Sequence, residues 1–105
     1  MPVGTISLEA YRTKAIEGAR RAAAELETRG VKVVVTGSLA RGSFAIGSDV
    51  DFVVLECPRR LKYAIESVVE DELGGIPFEV VYHEEIPPAM VRGFMDGAVP
   101  ASDLR

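Results

Sequence analysis

Apolar residues recur three and four apart at Leu8, Tyr11, Ala15, Ala19, Ala22 and Leu26, the period of one helical face. Ser7 stands where an N-cap would accept a free backbone N–H, and Gly30 supplies the stop, so the spacing predicts a helix over 8–26. Val31 to Thr36 is a short β-branched run that reads as a strand buried on both faces. Gly37 to Gly47 is rich in small residues and reads as a loop with one helical turn after Ser38, before a second strand over Asp49 to Leu55. Pro58 suits a first helical turn, and Leu61, Ala64, Ile65, Val68, Val69 and Leu73 form a second amphipathic stripe ended by Gly74-Gly75. Pro77 to Tyr82 gives a third strand, Pro87-Pro88 opens a short helix from Ala89 to about Asp96, and the chain from Gly97 reads as a loose tail. Helix, strand, strand, helix, strand, helix is the order of an α/β (α+β) fold with a small sheet flanked by helices.

Length changes that picture little: 105 residues suffice for one hydrophobic core, so 1–105 is expected as a single domain with loose termini at 1–6 and 98–105. Apolar residues at 48% and charged residues at 27% match globular proteins and exclude disordered and collagen-like classes. A net charge of -4 opposes general attraction to a polyanion, so nucleic acid is not the expected partner. No apolar run approaches the ~20 residues that span a bilayer and no basic-then-apolar leader opens the chain, which leaves the cytoplasm as the expected location. The single cysteine, Cys57, cannot close an internal disulfide and reads as a small buried or half-buried hydrophobe.

The chemistry concentrates in one stretch. Asp49 and Asp51 are two apart, so on a strand both carboxylates share a face, and two anions that close call for a divalent cation such as Mg²⁺. Gly37-Ser38 follows a buried strand, where a glycine lets backbone N–H groups approach a phosphate and a serine hydroxyl can donate to it. Arg41, one turn on, is a fixed positive charge suited to phosphate, though equally suited to a surface ion pair. A phosphate cradle ten residues from a carboxylate pair points to phosphoryl or nucleotidyl transfer. Glu79 is the only acid inside the third apolar strand and takes the general-base and second-metal role. His83 lacks a metal-ligand neighbour and reads as a surface residue, and Met90, Phe94 and Met95 read as packing against the sheet.

Gly37-Ser38-Leu39-Ala40-Arg41-Gly42-Ser43 followed by Ser48-Asp49-Val50-Asp51 resembles the nucleotidyltransferase superfamily that includes DNA polymerase beta, with its pattern G-S-x10-D-x-D. At average residue frequencies of roughly 5–7%, that pattern arises by chance about once in a thousand chains of this length, so it is specific. The Gly-Ser-x-Ala-Arg-Gly form, the short chain and Ile86-Pro87-Pro88 resemble the minimal nucleotidyltransferase branch, often the antitoxin partner of a HEPN-domain toxin. The resemblance runs from Val31 to about Gly97. It implies a three-stranded mixed sheet flanked by helices, ATP as substrate, two Mg²⁺ at the two aspartates, and transfer of AMP to a hydroxyl of a HEPN-type toxin, with a tyrosine as one such acceptor. The family's third carboxylate is usually aspartate; Glu79 carries one more methylene, and a displacement of about an ångström can cost about a hundredfold in rate.

Two functions follow. One is an enzyme with Asp49, Asp51 and Glu79 as metal-binding and catalytic residues and Gly37, Ser38 and Arg41 on the nucleotide. The other is a catalytically weak module of the same fold that neutralises a toxin by binding it. Exposed apolar side chains, Tyr11 and Ile16 on the first helix or Met90 and Phe94 on the last, are the candidate partner surfaces, and self-association stays open.

Overall fold

The computed structural model describes residues 7–105; the expectation for 1–6 lies outside the described residues. Helix α1 spans Leu8–Thr28, and the Ser7 hydroxyl accepts the Ala10 N–H at 3.0 Å. Strand β1 (Lys32–Thr36) runs straight into a five-residue helix α2 (Gly37–Arg41), and strand β2 (Val50–Glu56) follows the loop. Helix α3 (Glu66–Leu73), strand β3 (Phe78–Tyr82) and helix α4 (Val91–Met95) complete the chain, with single 3₁₀ turns between and after them. The sheet order is β1-β2-β3, antiparallel between β1 and β2 and parallel between β2 and β3, so a small mixed sheet is flanked by helices as expected.

Period two along β2 divides the sheet into two unlike faces. Val50, Phe52 and Val54 join Val35 in one cluster with Ala15, Ala19, Ala22 and Leu26 of α1 and Val69 and Leu73 of α3. Asp51 and Val53 necessarily point the other way, toward the face that α4 partly covers. The helices therefore bury one face of the sheet and leave the other for chemistry.

Three expectations need correction. β1 is an edge strand, so only Val35 and Thr36 are buried; Val33 and Val34 are half-buried and Lys32 is exposed. The stripe from Leu61 to Leu73 is not one helix. A 3₁₀ turn at Arg59–Leu61 gives way to Tyr63 at φ 68°, a left-handed conformation unusual for a non-glycine residue, and α3 begins only at Glu66. The break is held from outside, because the Tyr63 N–H donates to the Tyr82 hydroxyl at 2.7 Å and the two rings meet edge to face at 5.1 Å.

The third correction concerns the chain after Gly97, which is not a loose tail. Val35 and Val99 exchange two backbone hydrogen bonds of 2.8 and 3.0 Å, and Ala101 and Leu104 are buried in the core. Arg20 of α1 donates to the Leu104 carbonyl and ties the segment down further. Leu104→Ala is accordingly expected to cost about 2 kcal/mol, the low end for a buried leucine because a terminal segment can relax into the space. Urea denaturation would read it, and an unchanged midpoint would show that the segment carries no load.

Candidate active site

The site begins where β1 ends. Thr36 is buried and pairs with Asp51 across the β1–β2 ladder, and Gly37 then turns the chain into α2 with φ +71°. A Cβ at Gly37 would lie 2.2 Å from Asp51 Oδ2, so this position is glycine for two reasons at once: the left-handed backbone and the carboxylate pressed against its α-carbon. The helical turn expected after Ser38 is present. Its carbonyl accepts N–H groups of Gly42 and Ser43, and its hydroxyl has no partner among the described residues. Gly42, at φ 82°, ends the turn.

The loop from Gly42 to Asp49 is anchored rather than floppy. Phe44 is buried and stacks on Tyr11 with ring centroids 5.4 Å apart, and Ser48 closes a turn in which its hydroxyl accepts the Ala45 N–H at 3.0 Å. This delivers Asp49 one residue before β2 rather than on it, exposed but beside Asp51. On the other side, Asp51 is the register partner of Glu79 on β3. One carboxylate oxygen from each of Asp49, Asp51 and Glu79 lies within 4.8 Å of the others. The extra methylene of Glu79 therefore leaves its carboxylate in the cluster.

Electrostatics at Asp51 record the crowding. Burial raises its pKa above the ordinary carboxylate value, the charges of Glu79 and then Asp49 push it further up, and Arg41 opposes them. Arg41 is exposed at the end of α2 and makes no ion pair among the described residues, so its charge is available at the rim. Three hard oxygen donors with a net charge to neutralise suit a divalent cation such as Mg²⁺. A spread of up to 4.8 Å slightly exceeds the ~4 Å across one Mg²⁺ octahedron, and fits slight closure on one ion or two ions sharing the cluster.

A hollow of about 210 Å³ adjoins Asp51, Glu79 and Arg41, floored by Val53 and Val81 and walled by Gly93 and Phe94 of α4. Sequence reasoning set Phe94 against the sheet but missed the rest of this apolar side of the site. Val53 and Val81 were detectable, since each lies one strand period beyond an acid already singled out; Gly93 was not, since nothing near the motif pointed to it. Of the expected partner surfaces, Ile16 is buried and Tyr11 is half-buried under Phe44, so the first helix does not expose them. Met90 is exposed and Phe94 is half-buried against the hollow. His83 sits in a 3₁₀ turn outside the cluster, and Cys57 is half-buried beside the core.

Residues 16–100 match the family described as nucleotidyltransferase domain. The fold is similar to a solved structure of a proposed minimal nucleotidyltransferase, with TM-score 0.67 and 25% identity over 92% of this chain and 98% of that one. No curated protein matches the chain significantly.

Proposed function

The chain belongs to the nucleotidyltransferase-domain family, and from that premise we propose that it is a Mg²⁺-dependent enzyme that transfers AMP from ATP to a hydroxyl of a HEPN-type partner protein, acting in the cytoplasm as an antitoxin. The observation that carries the reading is the convergence of Asp49, Asp51 and Glu79 on one point of the open sheet face, against Gly37, the residue before Ser38.

Mg²⁺ held by the three carboxylates would neutralise the phosphates and favour ionisation of the acceptor hydroxyl. The Ser38 hydroxyl donates to the triphosphate, Gly37 leaves room for the Asp51 carboxylate that faces the nucleotide, and Arg41 balances charge as it gathers on the departing pyrophosphate. Glu79, which is exposed to solvent, receives the acceptor's proton. A bond forms between that oxygen and the α-phosphorus, and the bond from the α-phosphorus to the bridging oxygen breaks to release pyrophosphate. The reach of Glu79 into the cluster favours this enzyme over a module that only binds.

The test is to incubate the protein and a HEPN-domain partner encoded beside it with Mg²⁺ and ATP, and to read intact masses. The partner should gain one or more AMP units with the wild-type chain and none with Asp49→Ala. A stable complex with no mass change would replace the enzyme with the binding module, and equal transfer by Asp49→Ala would remove the acidic cluster from the chemistry.

A further inference from the structure

Away from the acidic cluster, a hollow of about 650 Å³ runs along the free edge of β1, between α1 and the turn at Pro100–Ser102. Its floor is Val33 and Val34, and Leu55, 42% exposed, stands on its rim. Val35 turns its N–H and C=O outward to Val99, and strand alternation turns those of Val33 to the same edge. There they meet no partner among the described residues. An unpaired edge beside an apolar hollow is a surface that proteins ordinarily cover or blunt.

The helix side of the hollow says what covers it. Arg20, Ala23, Ala24 and Glu27 lie on one face of α1, spaced three, one and three. The set is symmetric about the midpoint between Ala23 and Ala24, with Arg20 and Glu27 about 5 Å to either side along the axis. A second α1 laid antiparallel across that midpoint by a two-fold axis brings each Arg20 to the other copy's Glu27, while the two small alanines allow the helices to approach to about 8 Å. Glu27 makes no ion pair within its own chain among the described residues, and Arg20 is engaged only by the Leu104 carbonyl. A parallel helix would set Arg20 against Arg20.

We propose that the protein forms a two-fold homodimer through antiparallel packing of α1 on α1 across the β1 edge. Each copy covers the other's Leu55 and the unpaired Val33 edge. Asp49, Asp51 and Glu79 lie outside this hollow, so both acidic clusters stay open.

Light scattering and sedimentation over a concentration series test it with charge reversals. Wild type should reach twice the monomer mass, and Arg20→Glu and Glu27→Arg should each weaken the dimer by about tenfold or more, because each turns two attractive pairs into two repulsive ones. Mixing the two single variants should restore a dimer, since every facing pair is again opposite in sign. Glu27→Arg disturbs no internal bond among the described residues, so at a concentration low enough for both proteins to be monomeric its melting temperature should equal the wild-type value, while at dimer-forming concentrations wild type should melt higher; Arg20→Glu loses its bond to Leu104 and is judged by the mixing experiment. A wild type that stays monomeric at roughly millimolar concentration, or a dimer indifferent to both reversals, would overturn the proposal.

Discussion

Replacing Asp51 by asparagine is expected to abolish nucleotidyl transfer and, in the absence of metal, to raise the melting temperature. The amide keeps the shape of the carboxylate but cannot hold a divalent cation with comparable strength. Loss of an electrostatic group of this kind at the reacting centre costs roughly a hundredfold to a thousandfold in rate. The stability change has the opposite sign because the folded protein crowds this charge. Burial is the largest contribution, Glu79 and Asp49 add like-charge repulsion, and Arg41 offsets only part of it.

The pH dependence follows from that direction. Asp51 has a higher pKa folded than unfolded, so above the folded value both states are ionised and the folded state bears the whole penalty. Between the two values the folded state binds more protons and stability falls as pH rises; below the ordinary carboxylate range near ~4, both states are protonated and the penalty vanishes. The advantage of Asp51→Asn should therefore be full at neutral pH and close on acidification. Glu85 titrates in the opposite sense, held low by hydrogen bonds from Lys62 and Tyr63, but it is common to both proteins and cancels in the difference. Saturating Mg²⁺ should reverse the order by stabilising only the wild type. Calorimetric melts with and without metal would read all of this. A variant that melts below wild type without metal would contradict the crowded-charge picture, and one that still transfers would contradict the site.

What was legible in the sequence is what short-range rules determine. The first helix carried its own cap at Ser7 and stop at Gly30, and both are seen. The acidic cluster was legible because period two places Asp51 on the sheet's open face, and the Gly-Ser spacing named its neighbour. What failed depends on contacts far along the chain. Tyr63 breaks the second helical stripe because Tyr82, on another strand, supplies an acceptor for its N–H. The final segment is ordered because Val99 finds the outer edge of β1 and Leu104 finds the core, and nothing in its Gly- and Pro-punctuated composition announces either partner. Asp49 fell between the two cases: the motif identified it, while its place one residue before β2 depends on the Phe44 and Ser48 contacts that shape the loop.

Gly37→Ala is expected to lower folding stability by about 3 kcal/mol, combining a left-handed backbone cost of about 1–2 kcal/mol with a steric overlap of similar size. Most of the activity should go with it. The added methyl would fall 2.2 Å from Asp51 Oδ2 and 3.1 Å from its Cγ, so the carboxylate must leave the position in which it meets Asp49 and Glu79. The two contributions are separable. In an Asp51→Ala background the oxygen and Cγ are gone and the nearest remaining atom is residue 51's Cβ, at an ordinary 3.4 Å. There Gly37→Ala should cost the backbone strain alone, leaving a coupling of about 1–2 kcal/mol in a double-mutant cycle. Gly42→Ala is the internal control. Gly42 has φ +82° but no described residue within 4 Å of an added Cβ, so its replacement should cost strain only and be indifferent to Asp51→Ala. Should Gly37→Ala behave like Gly42→Ala in both backgrounds, backbone conformation alone would account for the glycine, and the close approach of the Asp51 carboxylate would have no energetic consequence.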